Sequence, residues 1–300
     1  MATTTAPGAE ATFAQIAAGQ RHPAVDAAIK IAKSPVGAVS GALILLLVAT
    51  ALLAPYISPF DPQAISRDKF VAPGTEHWFG TDGIGRDILT RVMYGARISL
   101  YVGFLTVTFG TLAGTVVGLV SGFAGGWVDL SIQRIVDAIQ SFPAILLAMS
   151  IVSVIGPSTT NGVLAIALVV AVNNSRVVRG AVLSVKENTY IEAARAIGAT
   201  PSRVLARHIL PNVVAPILIL VSAGFGAAIL IEGALSFLGL ATQPPDASWG
   251  LMLSRGRESI ETSPWLALFP GLAIAITVLS FNMLGDVVRD VLDPRLRGSR

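Results

Sequence analysis

Six long apolar stretches restrict what this chain can fold into. They run approximately over residues 36–54, 98–123, 135–155, 159–178, 213–240 and 265–288. A helix of roughly 20 mainly apolar residues crosses the ~30 Å hydrocarbon core of a membrane. The composition agrees, because only 13% of the residues are charged, against about 25% in a typical soluble domain. The sequence therefore predicts an all-α integral membrane protein with six transmembrane helices.

The fourth stretch is the weakest, because its continuous apolar part ends at Val172, before Asn173, Asn174 and Ser175. A chain with five spans is therefore an alternative. Positive charges accumulate on the cytoplasmic side of membrane proteins. With six spans and both termini inside, fourteen of the 21 Lys and Arg residues lie on that side. This bias predicts a transmembrane domain of residues 36–297, with cytoplasmic tails at 1–35 and 298–300.

Several signatures of chemistry are absent from the sequence. It contains no G-x-x-x-x-G-K-[ST] phosphate loop, no H-E-x-x-H pair and no G-x-S-x-G elbow, the common signs of bound nucleotide, zinc or an activated serine. It has no Cys, and its three His residues show no ligand spacing, which argues against a metal site. It has no dense basic tract that would attract nucleic acid. We therefore expect a protein that is not an enzyme and binds no metal, cofactor or nucleic acid.

Glycines recur at every fourth position in the second stretch. They are Gly110, Gly114, Gly118, Gly122 and Gly126. Residues four apart lie on one face of a helix, and small residues there let a second backbone approach closely. The pattern predicts a glycine groove that packs either against another helix of this chain or against a second transmembrane subunit.

One carboxylate, Glu232, lies inside the fifth apolar stretch. An unpaired charge at this depth costs at least ~2.5 kcal/mol, so Glu232 needs a partner, water or a proton. Two interpretations remain open from the residues alone. Glu232 accepts a structural hydrogen bond, from Ser236 or from a paired subunit, or both side chains line a wet substrate path.

The loop between the fourth and fifth stretches, residues 189–212, has the pattern of a helical hairpin. Thr189 is placed to cap a helix over 190–197, and Gly198 suits the left-handed residue that ends it. Pro201 suits the first position of a second helix, which we expect to end at Pro211. Such a hairpin either lies on the membrane surface or enters a groove on a partner protein.

This loop resembles the EAA loop of ABC importer permeases. The matching residues are Glu192, Ala193, Ala194, Gly198, Leu210 and Pro211, with Ala199 and Pro201 in the turn between the helices. In that family the loop forms the coupling helix that docks on a cytoplasmic ATPase subunit. The resemblance implies that ATP and Mg are used by two partner ATPase subunits, and that this chain has no nucleotide site.

Three further segments narrow the resemblance. Residues 77–100, 229–250 and 282–297 are similar to C-type permeases of dipeptide and oligopeptide importers, so the resemblance extends from about residue 34 to residue 297. It implies a type I ABC importer permease in a prokaryotic cell membrane, surrounded by lipid. It also implies a homologous second permease as heterodimer partner, an extracytoplasmic substrate-binding protein, and a peptide as substrate.

The outer segment before the second span is rich in turns. It either folds as a cap over the helices or contacts the binding protein. The residues concerned are Gly80, Asp82, Gly85, Arg86, Asp87 and, from the later outer loop, Trp249.

Alternative functions remain at this stage. Relatives in the family also move nickel chelates or glutathione, so the substrate is open within the importer class. A proton-coupled secondary transporter would use Glu232 as its acid, and a membrane scaffold would use the glycine face and the hairpin. Neither of these alternatives accounts for the family-wide similarity.

The six-span topology is testable because the chain has no native Cys. Single cysteines at Ser202 and Ser299 should be shielded from an impermeant thiol reagent in intact cells, whereas cysteines at Thr75 and Ser259 should react. Labelling of position 202 from outside would contradict six spans.

Overall fold

The computed structural model describes residues 23–292, and the part of the chain that it describes contains helices and loops but no β-strand longer than an isolated bridge. The tail 298–300 and residues 1–22 of the predicted N-terminal tail lie outside the described residues. In chain order the helices are α1 (Pro23–Lys33), α2 (Pro35–Ile57), α3 (Ile88–Ala124), α4 (Gly126–Gln140), α5 (Ala144–Ile155), α6 (Thr159–Lys186), α7 (Thr189–Ala196), α8 (Pro201–Val204), a π-helical turn (Leu205–Ile209), α9 (Leu210–Phe237), α10 (Trp249–Arg257) and α11 (Trp265–Leu292).

Five helical segments are long and apolar enough to cross a membrane: α2, α3, α6, the continuous helix from α8 through α9, and α11. The prediction of an all-α membrane protein is confirmed. The third predicted stretch, 135–155, differs from a simple span, because it is divided between α4 and α5, which meet at 89°. Pro143 lies at the break, where it lacks a backbone N–H and disfavours helical geometry in the residue before it.

The glycines of α3 pack against α6 of the same chain. A Cβ added at Gly110 would lie 2.7 Å from the Cβ of Val170, and one added at Gly118 would lie 2.6 Å from the carbonyl oxygen of Ser175. At Gly122 the nearest atom belongs to Val182. These distances require bare backbone on α3, because real Cβ atoms essentially never approach so closely. The glycine groove is therefore filled by α6.

Gly126 does not belong to this groove. Helix α3 ends at Ala124, Gly125 and Gly126 both have positive φ, and Gly126 begins α4. The period of four residues continues in the sequence beyond the point at which the helix stops. Glycine is the residue that most readily adopts positive φ, and these two reverse the chain direction.

Helices α3 and α6 run parallel, since contacts advance along both helices in the same order from Gly110 to Gly122. Their starting ends therefore lie on the same side. The chain between them, residues 125–158, has to return to that side. The bent α4–α5 pair makes this return, which supports counting it as the sixth crossing.

Helix α9 runs antiparallel to α3. A Cβ on Gly103 would meet Ile229 at 3.2 Å, and one on Gly224 would meet Val107 at 3.6 Å. Helix α11 also packs on α9, where Phe225 stacks on Phe281 with ring centroids 4.7 Å apart. The α7–α8 hairpin and the α9–α11 loop therefore lie at opposite ends of the bundle.

Alanine at Gly118 should force α3 and α6 apart, because its Cβ has no room beside Ser175. We expect the free energy of unfolding to fall by roughly 1–3 kcal/mol, as for overpacked cores, and the melting temperature in detergent to fall with it. Gly41→Ala in α2 is the matched control, because nothing lies within 4 Å of the added Cβ. Equal melting temperatures for the two variants would contradict the close contact.

Candidate functional site

The hairpin at the α7–α8 end is built on a glycine turn. Thr189 is the first residue of α7 and not its cap as predicted; Asn188 occupies the cap position, and the helix ends at Ala196. Gly198 has a φ of 85°. The N–H of Gly198 donates to the carbonyl of Arg195 at 3.0 Å, and the N–H of Ala199 donates to that of Ala194 at 3.0 Å. These two bonds form a Schellman motif, which closes a helix with a left-handed residue.

The second helix of the hairpin does not end at Pro211 as the sequence predicted. It starts at Pro201 and continues through the π-helical turn into α9, so one helix runs from Pro201 to Phe237. Pro211 directly follows the π-helical turn, at its junction with α9. The side chain of Asn212 donates to the carbonyl of His208 at 2.7 Å at the same junction.

One face of the hairpin is anchored in the bundle. Ile191, Val204 and Ile209 are buried in one cluster with Val178 and Val182 of α6 and with Val213 of α9. Ala194 is buried on the same side. The anchoring fixes the hairpin to the ends of α6 and α9 that lie on the hairpin side of the bundle.

The opposite face of the hairpin is bare. Glu192, Ala193, Gly198, Pro201 and Pro211 are exposed, Leu210 is 36% exposed, and Ala199 is partly buried. Ile197 is 87% exposed, although it is a large apolar residue beside the turn. Sequence reasoning placed Ile197 in the helix and missed its exposure, which its position just before Gly198 could have signalled. The hairpin thus presents a thin, partly apolar surface.

The outer segment before α3 is a folded cap. The carboxylate of Asp82 accepts hydrogen bonds from the backbone N–H groups of Ile84 and Arg86 at 3.0 Å and from Nε of Arg86 at 2.7 Å. Asp87 accepts from the N–H of Thr90 at 2.7 Å and lies 2.9 Å from Nδ1 of His77. Asp87 therefore caps the first turn of α3.

Asp82 pairs with Arg86 and acts on Arg255 through its charge alone. Burial first, and then the charge of Arg86, lower the pKa of Arg255, whereas Asp82 raises it. Asp82 forms the ion pair with Arg86 at 2.7 Å. It therefore offsets the repulsion between two guanidinium groups under the cap.

Trp249 joins the second outer loop to α3. It is 1% exposed, its ring packs on Gly95, and its Nε1 donates to the carbonyl of Val92 at 2.9 Å. Arg91 makes a second connection, because it donates to the carbonyls of Pro62 and Asp246 at 2.8 and 3.3 Å. Sequence reasoning missed Arg91, whose position at the start of a long apolar helix was the available signal.

The residues proposed for the binding-protein contact are mostly inside this cap. Gly80, Gly85, Arg86, Asp87 and Trp249 are buried, and Asp82 is partly buried. The exposed side chains of the same segment include Trp78 at 69% and Ile84 at 40%. A protein that contacts this segment would therefore meet exposed side chains such as these and not the buried ones.

Glu232 is sealed inside the chain. It is 1% exposed and accepts hydrogen bonds from the hydroxyl of Ser99 on α3 at 3.1 Å and from that of Ser236 at 2.7 Å. The Ser236 hydroxyl in turn accepts from the N–H of Thr242 at 3.1 Å. Glu232 thus links α9, α3 and the outer loop, which favours the structural interpretation over a wet path.

Helices α4 and α6 are joined by three polar pairs that sequence reasoning missed. Nη2 of Arg179 donates to Asp129 at 2.6 Å, Arg176 pairs with Asp137, and Nε2 of Gln140 donates to Oδ1 of Asn173 at 3.0 Å. The pairs descend along α6 as they ascend along α4, so the two helices are antiparallel. We call these three pairs the polar ladder.

Comparison with known proteins identifies the family. The family of binding-protein-dependent transport system inner membrane components matches residues 114–298, and the N-terminal transmembrane domain of oligopeptide transport permease C matches residues 23–73. A dipeptide transport system permease protein of Alkalihalophilus pseudofirmus is 49% identical over 230 residues, which cover 77% of this chain and 76% of that protein.

Two further relatives are named for different substrates. A putative peptide transport system permease protein of Brucella suis is 43% identical over 85% of this chain and 86% of that protein. A glutathione transport system permease protein of Pectobacterium atrosepticum is 43% identical over 87% of this chain and 88% of that protein.

The fold is that of a solved ABC permease. The inward-facing MetNI methionine ABC transporter aligns with a TM-score of 0.57 and 19% identity, over 68% of this chain and 97% of that chain. Since the first family covers more than half of the chain and a relative reaches 49% identity, this chain belongs to the binding-protein-dependent transport system inner membrane components, as an ABC transporter permease similar to dipeptide and oligopeptide permease C.

Proposed function

We propose that this chain forms half of the membrane path of an ATP-driven importer for dipeptides or oligopeptides, and that the α7–α8 hairpin couples it to cytoplasmic ATPase subunits. The observation that carries the proposal is the bare, anchored hairpin in a chain of the ABC permease family. An exposed isoleucine beside a rigid glycine turn suits insertion into a groove of a partner protein.

The hairpin is mechanically connected to the outer end of the bundle. The helix from Pro201 to Phe237 has 37 residues and is roughly 55 Å long at 1.5 Å per residue. It carries Glu232, which bonds to α3 beneath the outer loop. A displacement of the hairpin by the ATPase subunits therefore moves α9 against α3. ATP binding shifts the equilibrium between inward and outward states only through such differential contacts.

The remaining partners follow from the same proposal. A homologous second permease completes the path, two ATPase subunits supply the ATP and Mg chemistry, and a substrate-binding protein delivers the peptide to the outer cap. The chain itself contributes no nucleotide site. It lies in the cell membrane with both termini in the cytoplasm.

Glutathione is a second candidate substrate, because relatives named as glutathione permeases are as similar to this chain as a putative peptide permease. A nickel chelate has no such observation behind it. Uptake of labelled dipeptides, oligopeptides and glutathione by the reconstituted complex, each with its binding protein, separates these candidates.

The proton-coupled alternative is disfavoured by the surroundings of Glu232. A proton relay needs access to water, whereas Glu232 is 1% exposed and held by two serine hydroxyls. The family assignment also leaves this alternative without support.

Gly198→Val should uncouple transport from ATP hydrolysis. A left-handed backbone costs a non-glycine residue roughly 1–2 kcal/mol, and more for a β-branched one, so Val should distort the Schellman turn. We expect normal membrane insertion, loss of uptake, and loss of ATP hydrolysis stimulated by loaded binding protein. Both activities are measured in reconstituted vesicles.

Gly198→Asn is the control, because Asn tolerates the left-handed region and should retain most of the coupling. Normal uptake and stimulated hydrolysis in Gly198→Val would show that this turn is not the coupling element.

Glu232→Gln should preserve assembly and uptake, because the amide oxygen still accepts from Ser236 and the amide NH2 can donate to the hydroxyl of Ser99. Glu232→Ala should weaken both, since two buried hydroxyls lose a partner at roughly 1–3 kcal/mol. Melting temperature and uptake are the measurements. Abolished uptake in an assembled, ATP-hydrolysing Glu232→Gln complex would instead favour proton coupling.

A further inference from the structure

A cavity lies at the bend between α4 and α5. It has a volume of about 310 Å³, and its lining includes Gln140, Phe142, Leu147, Val169 and Asn173. Asn173 is halfway along α6, roughly 20 Å from either end at 1.5 Å per residue. The cavity lies beside the break in the α4–α5 pair, and broken helices form the substrate sites of many transporters.

Two amide side chains present a donor and an acceptor to this cavity. Nε2 of Gln140 is occupied by Oδ1 of Asn173 at 3.0 Å and by the carbonyl of Val172 at 3.5 Å. Among residues 23–292, no group donates to Oε1 of Gln140 and none accepts from Nδ2 of Asn173. An acceptor and a donor held side by side complement the N–H and C=O of a peptide main chain.

The next pair of the polar ladder lies at the surface of this chain. The side chains of Arg176 and Asp137 are 47% and 44% exposed, one turn of α6 from Asn173. Charged side chains within membrane-spanning segments face water-filled cavities or other protein rather than lipid. The Arg176–Asp137 pair therefore suits a face that borders water or a second subunit, and the amide pair lies on that face.

We propose that the cavity at the α4–α5 bend binds a short peptide by its main chain during passage, with Gln140 accepting from a peptide N–H and Asn173 donating to a peptide C=O. The site recognises the group that all peptides share, and Phe142, Leu147 and Val169 contact the variable side chains. Its volume lies at the low end of ligand pockets, ~300–1,000 Å³, which suits peptides of a few residues.

This inference rests on the proposed function, since it names the chemistry by which that path holds its substrate. The test uses the reconstituted complex of both permeases, ATPase subunits and binding protein. The probes are labelled alanyl-alanine and its ester analogue, in which an oxygen replaces the peptide N–H. Both are supplied at concentrations that saturate the binding protein, so that differences in uptake arise in the membrane.

The wild-type complex should take up the dipeptide about tenfold faster than the ester, the effect expected for one hydrogen bond. Gln140→Leu should lower dipeptide uptake about tenfold and abolish the preference over the ester, because both substrates then lack the bond. Asn173→Leu should lower uptake of both. Stimulation of ATP hydrolysis by loaded binding protein should persist in each variant.

Two further variants separate recognition from stability. Exchange of the amides, Gln140→Asn with Asn173→Gln, should restore most of the dipeptide preference. Asn174→Ala removes the neighbouring amide, which is buried and donates to Thr111 at 2.9 Å. It should lower the melting temperature but leave the ratio of dipeptide to ester uptake unchanged.

The outcomes discriminate between the two proposals. Wild-type peptide uptake without preference over the ester, or an unchanged preference in Gln140→Leu, would overturn the main-chain site and leave the peptide importer intact. A wild-type complex that imports no peptide would contradict the proposed function and this inference together.

Discussion

The close contact of α3 and α6 depends on the absence of side chains at four positions of α3. Backbone at Gly110 to Gly122 touches α6 directly, and this contact sets the distance and the parallel direction of the two helices. In a membrane there is little hydrophobic drive for helices to associate, so packing of this kind supplies much of the stabilisation. The direction of α3 and α6 in turn requires that the intervening segment recross the bundle.

Interactions at the two ends then fix the remaining helices. At the outer end, Arg91 and Trp249 donate to backbone carbonyls of distant segments. Glu232 accepts hydrogen bonds from hydroxyl groups on two helices. At the inner end, an apolar cluster holds the hairpin to α6 and α9. The outer end is thus closed by buried polar bonds, whereas the inner end leaves one face available to a partner.

The fold class followed from apolar length, and the hairpin from local turn chemistry at Gly198 and Pro201. Contacts between residues far apart in the sequence were harder to predict. The buried roles of Arg91 and Trp249 depend on carbonyls at Pro62, Asp246 and Val92, which no local pattern reveals. The pairing of Gln140 with Asn173 became visible only once α4 and α6 lay side by side. Pro143 and the polar residues after Val172 indicated that these two stretches are not simple apolar spans. What those residues contact depended on the packing of α4 against α6.

The π-helical turn at Leu205–Ile209 has a geometric consequence for the hairpin. Such a turn holds one more residue than an α-helical turn, and each residue of an α-helix advances the azimuth by ~100°. The hairpin therefore projects from α9 in a direction about a quarter turn away from the one that an uninterrupted α-helix of the same sequence would give. The number of residues in that single turn therefore determines the direction in which the exposed face around Ile197 points. The packing of α9 in the bundle is unchanged by it.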